Sequence, residues 1–326
     1  MRRREFITLL GGAAVAWPLT VRAQQPAMPV IGFLHVASAK PFEGIVAGFR
    51  QGLKEVGYTE QNVTIEFRWA EGHYDRLAAL AAELVRRQVA VIVTGGGEAP
   101  ALAAKAATLT IPIVFNVGSD PVKMGLVASL SRPGGNLTGV NIHTTELAAK
   151  RVGLLHDLVP SGTVIAYLVN PNFPGTETNV KEVEAAARVL GLKIVLLKAS
   201  SKSDIDAAFA SIPEKRVGAL LVGSDPFFTS QRDQFVALVA RHAIPAIFEQ
   251  REFAVAGGLM SYGTSLTDSY RQMGNYAGRI LKGEKPTDLP IVQSAKFELV
   301  INLKTAKSLG LALPSGLLSI ADEVIE

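Results

Sequence analysis

The chain has 326 residues, of which 48% are hydrophobic and 19% are charged, a composition typical of a globular protein with a large core. It contains no cysteine, which excludes disulfide bonds, a thiolate nucleophile and zinc sites with thiolate ligands. The formal net charge is +4, and the length favours two lobes over one.

The N-terminal residues have the pattern of a secretory signal peptide. Three arginines, Arg2–Arg4, precede an uncharged stretch at Phe6–Val21, and small residues up to Ala23 mark a cleavage site before Gln24. The paired arginines followed by Glu-Phe-Ile fit a twin-arginine signal. A membrane anchor is the alternative, but the apolar run is shorter than the roughly 20 residues that span a bilayer. We therefore expect residues 1–23 to be removed and the protein to work in the periplasm.

Removal of this segment changes the charge of the protein. The segment carries four arginines against one glutamate, so the rest of the chain has a formal net charge near +1. No cluster of Lys and Arg remains that would bind the phosphate backbone of a nucleic acid. We therefore expect no nucleic-acid partner.

From Pro29 onward, strand and helix signals alternate. In the first half, apolar runs typical of buried parallel strands occur at Val30–Val36, Val63–Trp69, Val89–Thr94 and Ile111–Val117. Amphipathic helices are predicted between them, the first ending near Gly57 and the others at about Tyr74–Gln88 and Ala99–Thr108. The second half repeats this order, with strands at Val164–Asn170, Lys193–Leu197, Val217–Gly223 and Ile244–Phe248 and helices after the first three. A last long helix is predicted at about Asp268–Lys282.

Corresponding strands of the two halves are separated by similar numbers of residues. The pairs Val30 and Val164, Val91 and Ala219, and Pro112 and Pro245 are 134, 128 and 133 residues apart. Such near-constant offsets argue for two copies of one βαβ module. The predicted fold class is therefore α/β, with two doubly wound parallel-sheet lobes joined by a multi-strand hinge. Right-handed crossovers give each lobe the strand order 2-1-3-4.

The sequence also predicts how the chain divides between the lobes. The first lobe is expected to contain residues 29–142 and 258–285, and the second lobe residues 143–257 and 286–326. The crossings between them are expected near His143–Lys150, Ala256–Gly263 and Gly283–Pro290, where glycine and proline interrupt the helix pattern. A hinge of several segments would allow the lobes to close around a small molecule.

The pentapeptide Val-Gly-Ser-Asp-Pro occurs twice, at residues 117–121 and 222–226. The copies are 105 residues apart, so they do not occupy equivalent positions of the repeat. In each copy, Ser and Asp can accept hydrogen bonds from the first N–H groups of a following helix, and Pro fits the first helical position. Helix capping is one interpretation of both copies, and ligand binding is the other.

Ligands of open parallel sheets bind beyond the carboxyl ends of the strands, where the strand order reverses. The residues predicted to bind a small molecule there are Ser38, Thr94, Gly96, Asn116, Asp120, Asn170, Phe173, Ser224, Asp225, Phe227, Glu249 and Tyr262.

These residue types suit an amino-acid-like or carboxylate ligand. Ser38 and Thr94, with N–H groups at helix starts, are candidates to hold a carboxylate. The candidates to pair with an ammonium group are Asp120, Asp225 and Glu249. The candidates to cover an apolar or aromatic portion are Phe173, Phe227 and Tyr262. For most of them, capping or core packing remains the alternative.

Several segments together resemble a known family, the periplasmic substrate-binding proteins of ABC transporters that include tryptophan-binding members. The segments are Asp120–Val127, Pro133–Gly139, Leu259–Gly263, Lys296–Leu311 and Ala321–Glu326. The resemblance extends from about Pro29 to the end of the chain. It implies a type I periplasmic binding fold, capture of a small-molecule ligand between the lobes, and delivery to an ABC transporter permease in the inner membrane. We further expect a monomer that needs no cofactor.

Other functions are not favoured by the motifs. The five histidines have no metal-ligand spacing, no nucleophile elbow is present, and Gly95–Gly97 lacks the Lys-Ser/Thr of a phosphate-binding loop. We therefore predict no catalytic and no metal-binding residues. The effector-sensing half of a sugar-responsive transcription regulator would carry a helix-turn-helix where this chain has its signal peptide. A sensor that docks onto a membrane receptor remains an alternative to a transport protein.

Overall fold

Two β-sheets form the centre of the protein in a computed structural model, which describes residues 28–159 and 164–326 apart from the side chains of residues 145 and 146. The expected signal peptide, residues 1–23, lies outside the described residues. In chain order the strands are β1 (Val30–His35), β2 (Thr64–Trp69), β3 (Val91–Gly95), β4 (Ile113–Val117), β5 (Leu137–Asn141), β6 (Val164–Val169), β7 (Lys193–Lys198), β8 (Ala219–Val222), β9 (Ala246–Phe248), β10 (Met260–Thr264), β11 (Val292–Gln293), β12 (Phe297–Asn302) and β13 (Glu323–Ile325).

The helices follow the predicted alternation with the strands. They are α1 (Glu43–Glu55), α2 (Leu77–Arg86), α3 (Glu98–Ala107), α4 (Thr144–Leu158), α5 (Thr176–Val189), α6 (Lys202–Ala210), α7 (Pro226–Ser230), α8 (Arg232–Arg241), α9 (Arg251–Val255), α10 (Leu266–Leu281), α11 (Leu303–Ser308) and α12 (Ser315–Ser319). The remaining helices in the described part of the chain are short 3-10 helices at Lys40–Phe42, Tyr74–Arg76 and Pro286–Asp288. No helix in that part is long and apolar enough to cross a membrane.

The strand order confirms the predicted α/β class with two sheets of similar topology. The first sheet has the order β11-β5-β4-β3-β1-β2 and the second β13-β12-β10-β9-β8-β6-β7. In both sheets the first four strands in the chain are therefore arranged 2-1-3-4, as the repeat predicts. All pairings are parallel except that of β10 with β12.

Each sheet is covered by helices on both faces, which explains why the strands are almost continuously apolar. In the first sheet, α1 and α10 cover one face and α2 and α3 the other. In the second sheet, α4 and α5 cover one face, while α6, α8 and α9 cover the other. Every residue of β3, β4 and β5 is buried. We refer to each sheet with its covering helices as a lobe.

The chain crosses between the lobes in three places, of which the first lies near His143 as expected and the third lies after the expected Gly283–Pro290. The first crossing joins β5 to α4, the second joins β10 to α10, and the third joins β11 to β12. Hydrogen bonds tie the three segments to one another. The Thr264 hydroxyl donates to the Ile142 carbonyl (2.8 Å), and the Ser294 N–H donates to the Asn141 carbonyl (2.9 Å).

The expected lobe boundaries are consequently shifted at two short strands. Residues 258–285 were assigned to the first lobe, but β10 pairs with β9 and β12 of the second sheet. Residues 286–326 were assigned to the second lobe, but β11 pairs with β5 of the first sheet. The Gly and Pro residues of Gly283–Pro290 do end a helix, as predicted. They do not mark a crossing, because local turn signals carry no information about which sheet the next strand joins.

Close contact between α1 and α10 depends on glycines. A Cβ atom at Gly52 would overlap the backbone carbonyl of Arg271, and one at Gly274 would overlap that of Phe49. The missing side chains let the two helix backbones approach, which brings α10 onto the first sheet although it lies more than 200 residues later in the chain.

We predict that Gly52→Ala lowers the free energy of unfolding by about 1–3 kcal/mol, because the added methyl group forces the two helices apart. Chemical denaturation measures this loss. Gly44→Ala on the same helix is the control, because a Cβ there meets nothing within 4 Å. It should be neutral or stabilise by up to about 1 kcal/mol. Equal effects of the two variants would contradict the packing argument.

Candidate functional site

A cleft lies between the two lobes at the carboxyl ends of their parallel strands, where the reversal of strand order predicts a binding site. Its non-atom space, counted together with open solvent at the mouth, is about 460 Å³, of which about 50 Å³ can hold the centres of water-sized molecules. It is lined by His35, Phe42, Gly96, Gly97, Asn116, Gly118, Ile142, Thr144, Phe173, Ser224, Asp225, Pro226, Glu249, Gln250, Leu266 and Tyr270. A larger groove beside α1 and β2 involves residues of the first lobe alone, so it lacks the two-sided enclosure of the cleft.

Half of the residues predicted from the sequence lie in the cleft lining. They are Gly96, Asn116, Phe173, Ser224, Asp225 and Glu249. The structure brings them together because each follows, or lies near the end of, a parallel strand: β3, β4, β6, β8 or β9. Both lobes therefore contribute to one surface.

The other six predicted residues lie outside this lining. Asn170 is buried behind Asp225, and Thr94 is buried within β3. Ser38 lies in the loop after β1, and the ring of Tyr262 is tilted by 43° against that of Phe297 at a centroid distance of 6.4 Å.

Asp120 and Phe227 also lie outside the lining. Phe227 packs beside Phe228 in α7. Asp120 accepts hydrogen bonds from the N–H groups of Val122 and Lys123 in a turn rather than in a helix. The first Val-Gly-Ser-Asp-Pro copy is thus a turn, and the second is a true helix start.

Asp225 is the N-cap of α7 and is fully hydrogen-bonded within the protein. Its Oδ1 accepts from the N–H groups of Phe227 (2.8 Å) and Phe228 (3.2 Å), and its Oδ2 accepts from Asn170 Nδ2 and the Tyr74 hydroxyl (both 3.2 Å). Four donors occupy the lone-pair positions of this carboxylate. Burial raises the pKa of Asp225 to about 6, although these hydrogen bonds lower it in part. Asp225 therefore has no acceptor position left for a ligand ammonium group.

Two contacts reach across the cleft and hold the lobes together. Tyr74 belongs to the first lobe and donates its hydroxyl proton to Asp225 of the second. Burial, followed by the charge of Asp225, raises the pKa of Tyr74, so its proton stays in place. A Cβ at Gly97 of the first lobe would lie 3.0 Å from the ring of Phe173 in the second. The structure thus represents a closed arrangement of the lobes.

Glu98, the first residue of α3, is a buried carboxylate that sequence reasoning missed. Its Oε1 accepts from the N–H groups of Gly118 (3.2 Å) and Ser119 (2.9 Å), which ties the loop after β4 to the start of α3. Its Oε2 has no hydrogen-bond partner among the residues described. The side chain is only 2% exposed, so a donor from a ligand or a water would relieve this unpaired oxygen.

Arg151 in α4 is a buried guanidinium that joins the cleft to the crossings. It donates to the Ser224 hydroxyl (3.0 Å) and to the Tyr262 carbonyl (3.1 Å), and its Nε has no partner in the described structure. Burial lowers the pKa of Arg151, and the nearby Glu249 carboxylate opposes this shift. Glu249 itself accepts from the Thr144 hydroxyl (3.1 Å) and faces the cleft. The second lobe therefore carries a carboxylate at its surface and a positive charge beneath it.

His35 and Tyr270 form a pair at the floor of the first lobe. His35 Nε2 lies 3.2 Å from the Tyr270 hydroxyl, and His35 Nδ1 accepts the N–H of Ala37 (3.0 Å). Burial lowers the pKa of His35 to about 3, so the imidazole is neutral at physiological pH. The two residues are 235 positions apart, and no local sequence signal connects them.

The described residues contain no group of His, Asp and Glu side chains that could hold a metal ion. The lining residues of the cleft present hydrogen-bond donors, carboxylates and aromatic rings.

Comparison with known proteins places this architecture in a family. The model of a family described as ABC transporter substrate binding protein matches residues 31–325. A tyrosine-binding protein from Clostridioides difficile (strain R20291) is 25% identical over 280 residues, which is 86% of this chain and 80% of that protein.

Two solved structures are similar over nearly the whole chain. An ABC domain from Streptococcus pneumoniae in complex with L-Trp is 28% identical with a TM-score of 0.82, covering 91% of this chain and 99% of that one. The ligand-free, open structure of a substrate-binding protein with adhesive properties from Clostridium difficile is 23% identical with a TM-score of 0.64 and the same coverage.

The raised pKa of Asp225 predicts a specific pH dependence of stability. The neutral carboxyl is favoured in the folded protein, so this group does not destabilise the fold below its ordinary pKa of 3.8. As pH rises from 3.8 to about 6, the group ionises in the unfolded protein before it ionises in the folded one, which lowers the free energy of unfolding by up to about 3 kcal/mol. Asp225→Asn removes this cost. The free energy of unfolding of the variant minus that of the wild type should therefore increase between pH 5 and pH 8.

Chemical denaturation of both proteins at the two pH values measures the effect, and the titrations of all other groups cancel in the difference. A difference that stays constant from pH 5 to pH 8 would show that Asp225 titrates normally.

Proposed function

The chain belongs to the family of ABC transporter substrate-binding proteins, and on this premise we propose that it captures an amino acid with an aromatic or apolar side chain and delivers it to a permease. The family consists of ligand-binding proteins rather than enzymes. The observation that carries the proposal is the cleft itself, which is lined by aromatic rings and polar side chains from both lobes.

Aromatic and aliphatic side chains form the walls of the cleft. Phe42 and Leu266 line it from the first lobe, and Phe173 lines it from the second. The ring of His35 lies 4.6 Å from that of Phe42, so the first-lobe wall is a continuous aromatic surface. Aromatic surfaces of this kind favour apolar and aromatic ligand groups. The relatives whose names state tyrosine and L-Trp support the same class of ligand.

Glu249 is the residue that we propose to pair with the ammonium group of the ligand. It lines the cleft and is only partly buried. Its hydrogen bond from Thr144 occupies Oε1 and leaves acceptor capacity on the other oxygen. Asp225, the other carboxylate in the cleft, is already saturated by its four donors.

The three crossings are proposed to act as the hinge. A rotation there would separate Tyr74 from Asp225 and Phe173 from Gly97, opening the cleft without disturbing either sheet. Such hinges consist of a few residues at the ends of helices and strands, as the crossings here do. Arg151 hydrogen-bonds both to Ser224 in the cleft and to the Tyr262 carbonyl near the second crossing. A ligand that contacts Ser224 would therefore be connected to the hinge through the Arg151 side chain.

We further propose that the protein is exported and cleaved, and that it works as a monomer in the periplasm. The Arg-rich start and the short apolar run of residues 1–23 support this localisation. Intact mass measurement of protein from a periplasmic fraction should give a chain that begins at Gln24. A full-length product in the cytoplasm would reject export.

The ligand class can be tested by calorimetry with L-Trp, L-Tyr and L-Phe against hydrophilic amino acids. We expect the aromatic amino acids to bind in preference. Phe173→Ala should weaken their binding about 10- to 100-fold, because it removes the burial of an aromatic wall. Phe227→Ala is the matched control, since Phe227 lies outside the cleft, and should change affinity less than about threefold. Absence of binding by the wild-type protein would refute the proposed function.

A further inference from the structure

The His35–Tyr270 pair fixes the direction of one hydroxyl proton in the cleft. Because neutral His35 accepts the Ala37 N–H at Nδ1, its single proton lies on Nε2. Nε2 therefore donates to the Tyr270 oxygen at 3.2 Å.

Because its oxygen accepts from His35 Nε2, the Tyr270 hydroxyl keeps its own proton free to donate elsewhere. Tyr270 lines the cleft but is 1% exposed, so water has little access to this proton. A buried hydroxyl without an acceptor is unfavourable, which means that the site is built for an acceptor supplied from the cleft.

Asn116 provides a second unpaired donor beside it. The side chain is 2% exposed and lines the cleft, and its Nδ2 has no partner among the described residues. Thr94 of β3 pairs in register with Phe115 of β4, so Gly95 and Asn116 lie beside each other in neighbouring strands. A Cβ at Gly95 would overlap the Tyr270 hydroxyl, so this hydroxyl lies directly over Gly95. The backbones of Gly95 and Asn116 are consequently about one strand spacing, roughly 5 Å, apart, which places both donors in the same part of the cleft.

We propose that the Tyr270 O–H and the Asn116 amide form a carboxylate subsite on the first lobe, with His35 as the positioning residue. A carboxylate has two oxygens that accept hydrogen bonds and can satisfy both donors at once.

This subsite deepens the proposed function, on which it rests, by fixing the orientation of the ligand. The carboxylate faces the first lobe and the ammonium group faces Glu249 on the second. Both lobes are then needed to bind one amino acid, which connects recognition to closure. It also differs from the sequence expectation, which placed the carboxylate on Ser38 and Thr94.

The test compares L-tryptophan with tryptamine, which has the same ring and ammonium group but no carboxylate. By calorimetry, wild-type protein should bind L-tryptophan at least about tenfold more tightly than tryptamine. Tyr270→Phe should weaken L-tryptophan binding about 10- to 100-fold, because it removes a hydrogen bond to a charged group, and leave tryptamine binding nearly unchanged. Tyr276→Phe is the control in the same helix, since the Tyr276 hydroxyl donates to the Pro290 carbonyl (2.8 Å) away from the cleft.

A second variant distinguishes charge recognition from a damaged fold. Asn116→Asp, measured at pH 8, replaces the donor by a carboxylate and should weaken L-tryptophan while strengthening tryptamine. A merely structural defect would shift both ligands in the same direction.

The possible outcomes distinguish a failure of the carboxylate subsite from a failure of the proposed function. If wild-type protein binds no aromatic amino acid, the proposed function fails and the subsite with it. If it binds L-tryptophan but Tyr270→Phe and Asn116→Asp weaken both ligands equally, the subsite is overturned and the proposed function stands. The same holds if wild-type protein binds tryptamine as tightly as L-tryptophan, or if Tyr276→Phe matches Tyr270→Phe.

Discussion

Burial of the Asp225 carboxylate between the lobes is the interaction on which the closed structure depends. The side chain caps α7, accepts from Asn170 in its own lobe and accepts from Tyr74 in the other lobe. Desolvation of a carboxylate is costly unless hydrogen bonds compensate for it, and here the last compensating donor arrives only when the lobes meet. Opening would return one oxygen to water and remove that donor in the same movement. Closure and the solvation of one carboxylate are thus a single equilibrium, which a ligand in the cleft can shift.

The polar groups of the cleft are distributed unequally between the lobes. The first lobe presents donors from Tyr270 and Asn116, while the second presents the carboxylate of Glu249 above the buried charge of Arg151. A zwitterion matches this arrangement only when it contacts both lobes. The aromatic walls add affinity without direction, because burial of apolar surface is not directional, whereas the hydrogen bonds set the orientation. Each kind of interaction therefore has a distinct role in recognition.

Much of this architecture is readable from local sequence patterns. Apolar runs and amphipathic stretches predict the strands β1 to β4 and β6 to β9 and the helices between them, because side-chain periodicity reflects burial on two faces. The repeat offsets predict the shared strand order. The strands β5, β10 and β11 were missed or misassigned, since the position of a strand in a sheet is set by its pairing partners and not by its own residue pattern. The expected crossings between the lobes that depend on β10 and β11 were therefore misplaced as well.

The sequence by itself determined the α/β class, the duplicated order of strands and the loops that border the cleft. All three follow from short-range periodicity and turn chemistry, and residues such as Phe173 and Glu249 could be found in this way. Only the tertiary structure decided which side chains enter the cleft with unpaired groups. Tyr270 reaches His35 because glycines let α10 pack tightly on α1, and Tyr74 reaches Asp225 because the lobes close. Both are long-range contacts, which arise from packing that no window of neighbouring residues contains.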